Sequence, residues 1–190
     1  MGNDLDAEAS GFSRSVIVSR FAEWTAFSAA RMAPVRSRQA IYPLVRRPHY
    51  GEIMSKELGR ITMQEFDKWH KENTEEVCES SKENPQTSLP IGWCTKLINV
   101  YLKTRVYLAG EGRPDLIRWV HPPIDNNLVD AIERAYANDS EVMERIRRFS
   151  SIRAIDNYGT YETIIEGCRL IAKRRNYACL IEVEELWQPY

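Results

Sequence analysis

Leu89-Pro90-Ile91-Gly92-Trp93-Cys94-Thr95-Lys96-Leu97-Ile98-Asn99-Val100-Tyr101-Leu102-Lys103 is the stretch on which the reading of this chain turns. Thr87 or Ser88 can cap a helix whose first turn accepts Pro90, and the apolar run beyond Gly92 is long enough to be helical and dense enough to be buried. Gly92, Lys96, Asn99 and Lys103 follow at steps of four, three and four, so they share one stripe. Trp93, Cys94, Leu97, Ile98, Val100, Tyr101 and Leu102 occupy the other faces. The spacing predicts a central helix that holds a lysine against apolar surroundings. Desolvation disfavours the charged form of a lysine, and an amine that sheds its proton near neutrality is a nucleophile.

Downstream, Gly110 and Gly112 break the helix, Arg113-Pro114 can open a short one, and His121-Pro122-Pro123 forces an extended entry to Ile124-Asp125. Asp125 is placed to cap a helix over residues 126–137. About twelve residues of helix beyond Lys96 rise roughly 18 Å, and residues 109–124 are long enough to bring the chain back over that distance. Lys96 and Asp125 can therefore meet.

Further out the pattern stays helical. Residues 13–32 read as a helix with Val16, Phe21, Trp24, Phe27 and Ala30 inward and the arginines outward, preceded by a loose acidic tail over residues 1–11. Pro34, Pro43 and Pro48 make residues 34–50 an irregular connection with room for one short helical turn. Thr62-Met63-Gln64-Glu65 has the form of a capping box, and Ile61, Phe66 and Trp69 supply the apolar side of the helix it opens, with His70 solvated among its acids. Asn138-Asp139-Ser140 caps a helix over residues 141–149, and Tyr158–Arg175 is another, with Tyr161, Ile164, Ile165, Cys168 and Ile171 inward. Residues 177–183 are apolar and short, and read as extended. The expected fold is all-α, with residues 12–190 as one helical domain.

Composition narrows the class. In 190 residues, 43% are hydrophobic and 28% charged, which excludes a disordered chain and fits a globular domain. No run of eighteen apolar residues occurs and the N-terminus lacks a signal-peptide pattern, so no membrane partner and a cytoplasmic location are expected. Cys78, Cys94, Cys168 and Cys179 are widely spaced, which supports neither a metal site nor a cluster, and no cofactor is called for. The net charge is −1, but residues 13–49 hold seven arginines against one acid, and residues 51–90 hold nine acids against five basic residues. One face can be basic although the whole is not.

Leu89-Pro90-Ile91-Gly92, Thr95-Lys96 and Pro123-Ile124-Asp125 together resemble the helix-hairpin-helix DNA glycosylases. That family carries a Leu-Pro-Gly-Val-Gly hairpin, a Thr-Lys or similar pair opening an apolar helix, and a Val-Asp segment opening the next one. The resemblance covers about 45 of the 190 residues, and one hairpin glycine is missing. The separation of 29 residues between Lys96 and Asp125 looks more like the archaeal 8-oxoguanine glycosylase branch, whose Pro-Ile-Pro-Val-Asp segment is similar to His121-Pro122-Pro123-Ile124-Asp125.

The resemblance implies a base-excision enzyme that extrudes a nucleotide from double-stranded DNA carrying a damaged or modified base, acting as a monomer without a metal or other cofactor. It implies Lys96 as nucleophile and Asp125 as its proton acceptor or charge stabiliser. The stretch Leu89 to Gly92 would present backbone N–H groups to a phosphate, which puts Pro90, Ile91 and Gly92 at the DNA; Asn99 and Lys103 would orient Asp125 or contact the strand, and His121 would contact it too. Two alternatives stand beside it: a non-catalytic helical module binding DNA or protein, and a base-modifying enzyme on the same scaffold. Trp24, Trp69, Trp93, Trp119 and Trp187 are all candidates for the aromatic wall of a base pocket.

Overall fold

The computed structural model describes residues 6–35, 37–83, 88–147 and 151–187. It is all-α, and no strand occurs among the described residues. The helices are α1 (Asp6–Ala29), α2 (Arg38–Arg46), α3 (Gly51–Met54), α4 (Met63–Lys82), α5 (Ile91–Leu102), α6 (Leu116–Trp119), α7 (Asn126–Ala135), α8 (Ser140–Ile146) and α9 (Tyr158–Arg175). Among the described residues, no helix is long and apolar enough to cross a membrane.

α5 is the hub. It touches α1, α2, α4, α9 and a 3-10 turn at Ile152–Ala154, and ten of its twelve residues are buried. Leu97, Ile98 and Leu102 each lose nearly all contact with water, and a side chain of that kind contributes about 1.5–3 kcal/mol on burial. The helix does not stop at Lys103. It widens into a π-helical stretch, Lys103–Leu108, and ends at Gly110, whose φ of +71° is the left-handed conformation that terminates helices. The caps at Thr62, Asp125 and Asp139 fall where the sequence places them. Thr62 and Glu65 complete the reciprocal capping box of α4, and Asp125, Asp139 and Asn157 cap α7, α8 and α9.

Several expectations are corrected. α1 begins at Asp6, inside the stretch expected as a tail, and it turns Ala22, Ala26 and Ala30 inward while Val16, Phe21 and Trp24 face out. Alanines at steps of four let α1 approach α5 closely, so backbone proximity prevails over side-chain size. Residues 38–46 form a capped helix despite Pro43. The segment Leu180–Leu186 is 3-10 helix rather than extended. α5 is opened by Pro90 without a side-chain cap, so Ser88 does not play that part, and Thr87 lies outside the described residues, as does the expected end of α8 at Phe149.

Candidate active site

Lys96 projects from the second turn of α5, and Asp125 stands at the N-terminus of α7, reached through the extended Pro122-Pro123-Ile124 segment. The two meet: Lys96 Nζ lies 3.1 Å from Asp125 Oδ2. The lysine side chain keeps 13% of its exposure and the aspartate 33%. Asp125 divides its carboxylate. Oδ1 accepts the Leu128 N–H at 3.0 Å as the helix cap, which fixes the group and turns Oδ2 toward the amine. The Lys96 ammonium also lies 5.4 Å from the Trp93 ring centroid, over its face.

The pair sits where two cavities meet. One of about 590 Å³ has Lys96, Lys103, Asp125 and Glu184 among its walls and Phe21, Leu108 and Trp187 at its apolar rim. The other, of about 470 Å³, is walled by Trp93, Asn127, Ser151 and Arg153 with Lys96 and Asp125 again. Trp93 and Trp187 are thus the tryptophans at the site. Trp69 and Trp119 instead donate their indole N–H groups to the carbonyls of His49 and Ile61, elsewhere in the fold. Lys103 pairs with Glu184 at 2.5 Å, one wall away from Lys96. Burial pushes the Glu184 carboxyl up, against the opposing pull of Lys103. Lysine and carboxylate therefore alternate across the floor of the larger cavity, where a polar ligand meets both signs of charge.

Asn99, one turn beyond Lys96, is fully buried and organises the segment that carries Asp125. Its Nδ2 donates to the Pro122 carbonyl at 3.2 Å and to Tyr161 Oη at 2.8 Å, and its Oδ1 accepts from His70 Nε2 at 2.8 Å. The Pro122 carbonyl can only accept, which settles the orientation of the amide and with it every proton in the chain. His70 carries its hydrogen on Nε2 and accepts from Tyr158 Oη at Nδ1. Tyr161 gives its hydrogen to His121 Nδ1, and His121 Nε2–H donates to Asp67, which Arg169 Nη2 also holds at 2.6 Å. Burial drives both histidines toward the neutral form, His70 the more strongly. Burial pushes the Asp67 carboxyl up, but His121 and Arg169 outweigh it and leave it below its ordinary value. Along this chain the donors point from Tyr158 toward Asp67, and the Thr74 hydroxyl stands 3.5 Å from the same His70 Nδ1.

This network corrects several expectations. His70 is buried rather than solvated. Asn99 holds the Pro122 carbonyl against α5, and His121 lies between Asp67 and Tyr161; both are buried in the core rather than presented to a DNA strand. At the hairpin the Gly92 N–H donates to the Ile155 carbonyl at 2.9 Å, and those of Trp93 and Cys94 turn back to Pro90. Ile91 is buried, and a Cβ at Gly92 would come within 2.2 Å of the Ile152 carbonyl. So Gly92 serves close packing, and the expected phosphate contact finds the N–H groups of Leu89 and Gly92 already taken, by Ser81 Oγ and the Ile155 carbonyl, while Pro90 has none to give. Lys103 faces Glu184 instead of Asp125.

Reading by pattern missed Glu184, Asp67, Arg169 and the two tyrosines. The signal was present in part: Tyr158 and Tyr161 stand three apart on α9, and His70 and Asn99 interrupt apolar faces of α4 and α5. Comparison of the chain with protein-family models, with characterised proteins and with solved structures finds no match. The functional reading is accordingly built on the site.

Proposed function

We propose that this protein is a DNA glycosylase with lyase activity, using Lys96 as nucleophile and Asp125 as its partner. The observation that carries the reading is the 3.1 Å approach of amine and carboxylate at the junction of two cavities, each roomy enough for part of a nucleotide. Asp125 takes a proton from the ammonium, and the freed lone pair of Lys96 attacks C1′ of an extruded deoxynucleotide. The C1′–N bond breaks with its electron pair leaving on the base, which takes up a proton. Opening of the sugar ring then gives a Schiff base between Lys96 and C1′. Loss of a C2′ proton expels the 3′ phosphate and cuts the strand. The Asp125 carboxylate, fixed in advance by its cap to Leu128, faces the ammonium and takes its proton without having to reorganise.

Borohydride reduction traps such a Schiff base as a covalent protein–DNA adduct. The expected result, across a panel of duplexes each bearing one modified base, is an adduct with the wild type that Lys96→Ala does not form. A wild type that traps none of them, or a Lys96→Ala variant that traps as much, defeats the proposal.

A second reading rests on the capping bond itself. Asp125 has a sufficient structural task at the start of α7, and Lys96 then only neutralises it within a helical binding module. Substitutions at Asp125 separate the two readings, as argued below.

A further inference from the structure

The outward face of α1 has no role in the fold. Arg14, Ile17, Phe21, Trp24 and Arg31 follow at steps of three, four, three and seven, with Arg20 beside them, so they form one stripe along the helix and the turn that ends it. Ile17, Phe21 and Trp24 are 63%, 51% and 48% exposed, and the two rings stack on one another with centroids 5.6 Å apart. Isolated apolar residues on a surface need no explanation, but a stacked pair within a continuous stripe marks an interaction site. The arginines on the stripe differ from their neighbours in the chain. Arg46 and Arg47 pair with Glu23 and Glu76, whereas among the described residues no acid pairs with Arg14, Arg20 or Arg31, all of them exposed.

From these observations we infer that the outer face of α1 is the surface that receives a nucleic-acid strand, with phosphates on Arg14, Arg20 and Arg31 and an unpaired base on the Phe21–Trp24 stack. The chemistry selects this occupant. A guanidinium presents a planar fork matched to phosphate oxygens, and an aromatic face stacks any base without regard to its sequence. The stripe runs about 25 Å from Arg14 to Arg31 at the helical rise, the length of about seven base steps. It also leads to the site: Phe21 and Arg31 are themselves walls of the larger cavity that holds Lys96 and Asp125. With the Leu89 and Gly92 N–H groups bonded inside the protein, a basic and aromatic surface on this side supplies a grip beside the hairpin. The inference rests on the glycosylase reading in that it names where the strand lies, but its test is binding rather than turnover.

Fluorescence anisotropy with three labelled DNA probes tests it: a single strand, a paired duplex, and a duplex with one unpaired nucleotide. The expected result is preference for the probes with unpaired bases. Arg14→Glu/Arg20→Glu/Arg31→Glu should weaken binding at least tenfold and flatten the plot of log Kd against log salt concentration by about two to three. Phe21→Ala/Trp24→Ala should weaken binding several-fold with the salt slope unchanged, and Trp24→Phe should remove most of the quenching of protein fluorescence by the oligonucleotide. Both sets of positions are at the surface, and circular dichroism checks that the variants are folded. The inference is overturned if the variants bind as wild type does. It is also overturned if the face instead mediates a concentration-dependent dimer, or binds anionic vesicles while DNA is ignored. Wild type that binds at this face but traps no Schiff base leaves the surface standing and removes the glycosylase; trapping that survives the arginine reversals at limiting DNA does the opposite.

Discussion

Asp125 carries two tasks on two oxygens, and they can be taken apart by substitution. Asn at an N-cap accepts the N–H of the third helical residue about as well as Asp does, whereas Ala accepts nothing and costs about 0.5–2 kcal/mol. Asp125→Asn should therefore keep the Leu128 bond and the stability of α7 while removing the charge that faces Lys96. If Asp125 acts in excision, Asp125→Asn should lower turnover by two or more orders of magnitude, in keeping with the loss of a positioned proton acceptor, at a melting temperature near that of wild type. Asp125→Ala should lose both. Should Asp125→Asn excise and trap like wild type, the carboxylate is only a cap and the second reading stands. Single-turnover kinetics beside thermal denaturation decides the matter.

Among the elements, α4 and α7 were legible because their boundaries are written in local chemistry, a capping box at Thr62 and Asp at 125, and α9 because its apolar period is uninterrupted. The stripe of Gly92, Lys96, Asn99 and Lys103 was legible too, since helical spacing alone puts those residues on one side. What each of them meets was not. Asn99 finds Tyr161 from 62 positions away and Pro122 from 23, and Lys103 finds Glu184 through an element read as extended. In α1 the large apolar residues Val16, Phe21 and Trp24 face out because a close helix crossing selects the smallest side chains, while Ala30 and the arginines lie on the sides their spacing predicts. That makes a test at this scale. Ala26 is fully buried on the face of α1 that packs against α5, so Ala26→Leu should push the two helices apart and cost about 1–3 kcal/mol in urea denaturation through overpacking. Phe21→Ala, at an exposed site, should change stability by less than about 0.5 kcal/mol. The reverse order of costs would return α1 to the orientation expected from its large apolar residues.

For the molecule as a whole, the buried chain from Tyr158 to Asp67 ties α4, α5, α9 and the Asp125 segment into one unit whose stability depends on protonation. In the unfolded chain His70 and His121 titrate at about 6.5, whereas in the fold burial holds both below that value. As the pH falls below about 6.5 the unfolded state takes up protons that the folded state refuses, so the stabilisation present at neutral pH is lost. With two such groups the slope approaches about 2.7 kcal/mol per pH unit. Asp67 acts in the same direction at lower pH, because its depressed value favours the fold only while the carboxyl of the unfolded chain is ionised. At the other end burial pushes the Cys168 thiol up to about 12 and holds the Tyr158 and Tyr161 hydroxyls above their ordinary range, so stability falls once the pH passes about 8.5 and the unfolded chain loses the thiol proton, and more steeply beyond about 10 as it loses those of the tyrosines. A plateau between about pH 6.5 and 8.5 with a steep acid limb is the expected profile of urea-denaturation free energy. Nitrogen-detected NMR of the imidazoles should show His70 and His121 as neutral Nε2–H tautomers that do not titrate between pH 7.5 and 6. Stability that stays level from pH 8 down to 5, or ring shifts that titrate freely through 6.5, would mean that the hydrogen-bond chain is open to water and does not hold the Asp125 segment in place.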